Sequence, residues 1–185
     1  MTYFYITAIG AVDPAAIKVA SATIETTFGF RPLQFGPLAM PPDAFDKVRN
    51  QFSSVAMLKE LVARAPADCL RLFALTEKDL FIPMLTFLFG QAQLGGRVAL
   101  VSLARLRQEF YGMPGNDPLL AVRMAKETLH EVGHTFNLLH CTDAGCAMAL
   151  STGIRALDAK HAAFCPACET LLKETLAEFE MEKTA

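Results

Sequence analysis

His130-Glu131-Val132-Gly133-His134 is the segment of this chain best suited to chemistry, and His140 follows it. On a helix, residues four apart lie one above the other, so His130 and His134 can hold one ion between them. At 100° per residue both lie about 100° or more from the helix's core stripe, so they face a cleft. His140 could not join them on a continued helix, where it would sit roughly 9 Å further along the axis than His134. The helix must end between them. Asn137 suits that stop, because Asn tolerates the left-handed conformation at a helix C-terminus. The spacing predicts a helix to about Phe136, a turn at Asn137, and His140 folded back. Three neutral imidazoles leave a position open for water, which is a catalytic zinc arrangement, and zinc lowers the pKa of that water towards about 7. Glu131, next to the first ligand, can accept the proton and pass it to a leaving amine.

A second set is Cys141, Cys146, Cys165 and Cys168. Cys165-Pro-Ala-Cys168 is a CxxC knuckle, and Cys141-x4-Cys146 makes a partner for it. Four thiolates close a tetrahedral shell with no open site, the structural type of zinc centre. Unrelated buried thiols and a redox CxxC are the competing readings, and a redox pair would not need Cys141 and Cys146. His161 is a spare ligand near Cys165, read as a surface histidine. Cys69, alone within a strand, is read as core. Because His140 and Cys141 are adjacent, the second ion would fix the loop that presents the third histidine. Two zinc ions per chain are expected, one catalytic and one structural.

These groups are positioned by a chain of 185 residues, about one domain and long enough to bury a core. Hydrophobic residues make up 52% and charged residues 19%, which excludes disorder for most of it. A formal charge of -2, with no Lys/Arg cluster near the CxxC, argues against a nucleic-acid or anionic-membrane partner. The longest apolar run, Leu80 to Gly90, is broken by Pro83 and falls short of the roughly 20 residues that span a bilayer. The apolar N-terminus has no basic residue ahead of it and no small-residue cleavage site, so it reads as a strand rather than a signal peptide. A soluble, cytoplasmic monomer is expected. In a reducing compartment, an odd five cysteines, four of them after residue 140, favour metal over disulfides.

Tyr3 to Val12 reads as a strand, and Asp13-Pro14 opens a helix that stops at Gly29. Residues 31–43 are a proline-rich loop with a short strand at Leu33–Phe35. Ser53 or Ser54 caps a helix to about Ala65, with Leu58, Leu61 and Val62 inward. Cys69 to Leu75 is a buried strand. Leu85 to Gln91 and Arg97 to Leu103 read as a hairpin around Leu-Gly-Gly. Asp117-Pro118 opens the strongest helix, with its stripe at Val122, Ala125, Leu129, Val132 and Phe136. Residues 137–156 are irregular, and a last helix runs from about Cys168 to Glu180. Early alternation of strands and helices predicts an α/β layer with a mixed sheet.

His130-Glu131-x-x-His134-x-x-Asn137-x-x-His140-Cys141-x4-Cys146-x-Met148, then Cys165-x-x-Cys168, resembles the archaemetzincins, a branch of the metzincin metallopeptidases. The resemblance implies that His130, His134 and His140 bind the catalytic zinc, that Glu131 is the general base, and that the four cysteines bind a second zinc. Met148 would lie beneath the metal as the Met-turn residue; read alone, it is an ordinary core Met. The implied fold is α/β (α+β) and metzincin-like. It has an N-terminal mixed sheet with an antiparallel edge strand flanked by helices, an active-site helix, and a small zinc-stabilised C-terminal part. That makes one metallopeptidase domain over 1–185, with subdomains at about 1–137 and 138–185. Residues 85–91 would offer backbone groups to an extended peptide by strand addition. This chain departs from the family pattern at Asn137, where a glycine is usual, and in a gap from Met148 to Cys165 about one residue shorter. No tyrosine follows Met148, so the oxyanion-stabilising tyrosine of some metzincins is missing unless Tyr111 or another group folds in.

The leading reading is a zinc-dependent peptidase acting on a peptide or protein substrate. The second is a zinc-stabilised peptide-binding protein with little turnover. The third is a zinc-ribbon nucleic-acid binder, which the charge balance disfavours. Glu131 separates the first two, because a pure binding site has no need of a carboxylate beside its first ligand.

Overall fold

The structure is a computed structural model that describes residues 2–182. Met1 and residues 183–185, which the one-domain reading includes, lie outside the described residues. Strand β1 (Tyr3–Ala8) leads to helix α1 (Pro14–Phe28), whose start is capped by Asp13 accepting from the Ala15 N–H at 2.8 Å. Gly29, at φ 74°, ends that helix in the left-handed conformation. Short strands β2 (Leu33–Gln34), β3 (Phe45–Asp46) and β4 (Gln51–Ser53) precede α2 (Ser54–Arg64). Then come β5 (Cys69–Thr76), β6 (Leu80–Ile82), β7 (Leu85–Leu88), β8 (Gly90–Ala92) and β9 (Val98–Ser102). Helices α3 (Asp117–Thr135), α4 (Ile154–Ala159) and α5 (Pro166–Glu182) complete the described chain.

The main sheet has the order β2-β1-β5-β9-β8, parallel except for β8, which runs antiparallel to β9 at its edge. All eight residues of β5 are buried, as both-face coverage requires. Side chains alternate between two cores. Phe73, Leu75, Ala99 and Val101 face the core built with α1 and α3, whereas Leu72, Ala74, Val98 and Leu100 face Met57, Leu58 and Leu61 of α2. A smaller sheet, β3-β4-β6-β7, adjoins the α2 side.

The expected hairpin is correct only in part. Gly90–Ala92 pairs with β9, but Leu85–Leu88 pairs antiparallel with β6 in the other sheet. Phe89, buried between the two, marks where the chain changes sheets. Val62 and Val122, expected inward, are exposed, and α3 is instead buried on most sides from Arg123 onward. Residues 137–156 are irregular as expected, apart from the start of α4, which sequence reading missed. Leu138, Cys146, Ala147, Met148, Leu157, Cys168 and Leu172 share one core with Phe28, Val132 and Phe136, so both ends of the chain contribute to it.

Candidate metal centre and active site

Helix α3 carries the first two histidines and starts cleanly. The Asn116 side chain accepts from the Leu119 N–H at 3.0 Å, and Pro118 sits in the first turn, where no N–H is needed. Its end is equally defined. Asn137 has φ 64°, the Leu138 N–H donates to the Gly133 carbonyl at 3.1 Å, and the Asn137 N–H donates to the His134 carbonyl at 3.1 Å. These are the paired bonds of a Schellman cap, with asparagine in the position usually held by glycine. The cap turns the chain back so that His140 approaches His130 and His134. Ring centroids are 5.2 Å apart for His130 and His140 and 5.0 Å for His134 and His140.

One nitrogen from each of the three rings lies within 4.8 Å of the others. His130 Nδ1–H donates to the Ala147 carbonyl at 2.9 Å, and His134 Nδ1–H donates to the Leu138 carbonyl at 2.7 Å. A carbonyl only accepts, so the proton of each neutral ring is on Nδ1 and the Nε2 lone pairs are free. Those two Nε2 atoms face each other at 3.2 Å. Around zinc, with Zn–N near 2.0–2.1 Å, a tetrahedral edge is about 3.3–3.4 Å. Burial lowers all three imidazole pKa values, His130 to about 3, which keeps the rings neutral. This donor set fits a divalent ion.

The four C-terminal thiols converge separately, their Sγ atoms all within 4.8 Å of one another. Cys141 Sγ and Cys165 Sγ are 3.7 Å apart, far beyond a disulfide and close to the roughly 3.8 Å edge expected from Zn–S bonds near 2.3 Å. Backbone N–H groups of Asp143, Met148 and Cys165 point at Cys141 and Cys146 sulfurs at 3.3–3.4 Å, which stabilises thiolates. This set fits a closed structural ion. His161 and Cys69 take no part: His161 is exposed, and Cys69 is buried in β5.

Glu131 is 5% exposed and lies against the edge strand. A Cβ on Gly90 would stand 2.6 Å from its Cγ and Oε1. Burial, and secondarily the Glu127 carboxylate, raise the Glu131 pKa. Met148 is fully buried beneath the helix, where a Cβ on Gly133 would meet its Sδ at 2.7 Å. A cleft of about 380 Å³ opens between this helix face and residues 85–92, with Leu150, Ser151 and Thr152 on its rim. Tyr111 does not line it; its hydroxyl donates to the Arg105 carbonyl.

The profile of peptidase family M54 matches residues 41–174. The chain belongs to peptidase family M54. It is 36% identical to the archaemetzincin of Methanocaldococcus jannaschii over 166 residues, covering 90% of each chain. The crystal structure of archaemetzincin from Methanopyrus kandleri superposes with a TM-score of 0.84 at 32% identity, covering 95% of this chain and 96% of that one. A zinc-dependent peptidase from Methanocorpusculum labreanum gives a TM-score of 0.80 at 29% identity, covering 91% and 99%.

In this M54 chain, sequence reading missed four residues of the site. Gly90 and Gly133 are needed for close approach. Glu127, 3% exposed, also lines the cleft, and Lys160 is buried behind it. Lys160 Nζ donates to the carbonyls of Ala147 at 3.1 Å and Ala149 at 2.9 Å, and so shares the Ala147 carbonyl with His130. The signal for Glu127 was present: it stands four residues before Glu131, on the same helix face. Lys160 carried no local signal.

Proposed function

We propose that His130, His134 and His140 hold the catalytic zinc of this chain and that Glu131 is its general base in peptide-bond hydrolysis. The class itself, a zinc metallopeptidase of the archaemetzincin type, follows from family membership. The observation that carries the residue assignment is the convergence of three neutral imidazoles, two of them locked with their Nε2 lone pairs facing each other.

Zinc held there would supply Lewis acidity to a water and to the scissile carbonyl. The protein's own groups do the rest. Glu131, sheltered between α3 and Gly90, accepts a proton on its carboxylate and returns it to the leaving amine. Raised basicity from burial suits it to both halves of that transfer. Strand β8, at the free edge of the main sheet, and β7, at the edge of the smaller one, offer backbone groups along the cleft, so an extended peptide can bind by strand addition. Cys141, Cys146, Cys165 and Cys168 are assigned a second, structural zinc that anchors the residue following His140.

The test pairs zinc content of the purified protein with hydrolysis of a peptide library by the native chain and by Glu131→Gln. Two zinc ions, with activity lost in the variant, are expected. Two zinc ions with no cleavage by either protein would leave a peptide-binding module instead. One zinc or none would undo the ligand assignments.

A further inference from the structure

This inference rests on the peptidase reading and concerns which peptides the cleft selects. Five buried side-chain N or O atoms among the described residues have no hydrogen-bond partner. Three of them, Gln91 Oε1, Glu127 Oε1 and Ser151 Oγ, belong to side chains that line the cleft. A buried polar atom without a partner is costly, and its retention calls for a reason. Their grouping on one cleft supplies one: the missing donors arrive with a ligand.

Glu127 sets the chemistry. It stands one turn before Glu131 on α3, roughly 6 Å along the axis. Its Oε1 lies 3.6 Å from Lys160 Nζ, because that ammonium is drawn to the Ala147 and Ala149 carbonyls. Lys160 therefore offsets part of the charge and leaves the oxygen without a bonded hydrogen. Gln91 lines the same cleft from the edge strand β8, and Ser151 from the loop before α4. We propose that Glu127, Gln91 and Ser151 form a specificity pocket for a basic side chain, lysine or arginine, on a substrate residue flanking the scissile bond.

Ammonium and guanidinium groups are pure donors and match a set of acceptors that includes a carboxylate. An apolar side chain would leave Gln91 Oε1 and Ser151 Oγ unpaired and Glu127 Oε1 with only its long ion pair to Lys160. An acidic one would face both Glu127 and Glu131. A carboxamide would bring donors but no charge, and should rank between.

The experiment reads binding, so that it does not depend on turnover. Zinc-loaded Glu131→Gln protein is titrated with fluorescent, end-blocked hexapeptides of alanine that carry one central Lys, Arg, Gln, Leu or Asp. Lys and Arg peptides should bind at least tenfold tighter than Leu, with Asp weakest. Adding Glu127→Gln should erase that advantage. Adding Gln91→Leu, which leaves the Glu127–Lys160 pair in place, should weaken Arg binding severalfold relative to Leu binding, so the idea stands or falls even where the Glu127 variant misfolds. Equal binding of all five peptides, Leu in front, or no binding of the basic ones overturns the pocket. So does an unblocked peptide without Lys or Arg that binds as tightly as the lysine peptide, since the α-amino group would then be the ligand. Hydrolysis by the native chain with a flat ranking defeats only this inference; the expected ranking without hydrolysis defeats the peptidase reading and leaves the pocket on a peptide-binding protein.

Discussion

Glycine at position 90 is what allows a carboxylate from a helix to lie against a strand. A methyl group there would stand 2.6 Å from Glu131 Oε1 and 2.7 Å from the Leu100 backbone oxygen, and the backbone cannot yield. Gly90→Ala should therefore keep its zinc but lose on the order of 100-fold in kcat/KM, since a shift near 1 Å at a reacting group has that effect. Metal analysis beside kinetics separates this from a lost ligand. Gly133→Ala meets Met148 Sδ instead, a buried but deformable neighbour, and should cost about 1–3 kcal/mol by denaturant melting. The histidines set a pH limit on the metal-free chain. Burial holds His130 neutral down to about pH 3 when folded, while the unfolded chain protonates near 6.5. The unfolded state then binds the extra proton, so stability is whole above about 6.5 and falls as pH drops from there towards 3. Urea midpoints of chelated protein should decrease between pH 7.5 and 5, and His130→Gln should flatten the slope. Because the raised carboxyl of Glu131 acts in the opposite sense, the difference between the two proteins is what decides, and identical slopes for the native chain and His130→Gln would contradict the buried neutral imidazole.

The helix cap is the element on which the third histidine depends. Asn137 at φ 64° turns the chain so that its own N–H meets the His134 carbonyl and the Leu138 N–H meets the Gly133 carbonyl, and the turn before β9 adds the Gly95 N–H to the His134 carbonyl at 2.9 Å. Asn137→Gly should leave zinc binding intact. Asn137→Val, which carries a left-handed penalty of about 1–2 kcal/mol, should lower both stability and catalytic-zinc affinity by misplacing His140. Equal zinc affinity in the two variants would show that the cap does not position the ligand. Asn137 also shows why this part was legible in the sequence: a helix stop between His134 and His140 was the only local way to bring the third ring back. The strand boundaries near residue 89 were not legible for the opposite reason. Leu85 to Gln91 is one apolar run, and its division between two sheets is decided by pairing with β6 and β9, which no periodicity records. Arg71 is a similar case. It is buried in β5, donates to the Thr135 carbonyl at the end of α3, and lies between the rings of Phe136 and Phe179, contacts that join three distant parts of the chain.

At the scale of the whole molecule, the two proposed metal sites, the histidine triad and the four cysteines, share their supports. Cys141 follows His140 directly, and its N–H donates to the Met148 carbonyl at 3.0 Å. Cys146 and Cys168 are in the same core as Met148, Val132 and Phe136, so the thiolate site is built into the packing under the histidine site. A metal that binds only the folded form stabilises it, and the folded part here includes the loop that presents His140. Replacing Cys165 and Cys168 by Ala should lower the melting temperature by many degrees. It should also weaken zinc at the histidine site by tenfold or more, although neither cysteine belongs to that site. The measurement is competitive zinc titration of the double variant against the native chain, with circular dichroism to establish that α3 persists. A control with Cys69→Ala, a core thiol outside the cluster, should leave histidine-site affinity unchanged. Unchanged affinity in the double variant as well would mean that the Schellman cap and the Ala147 and Leu138 carbonyls hold the three rings by themselves, and that the two ions act independently.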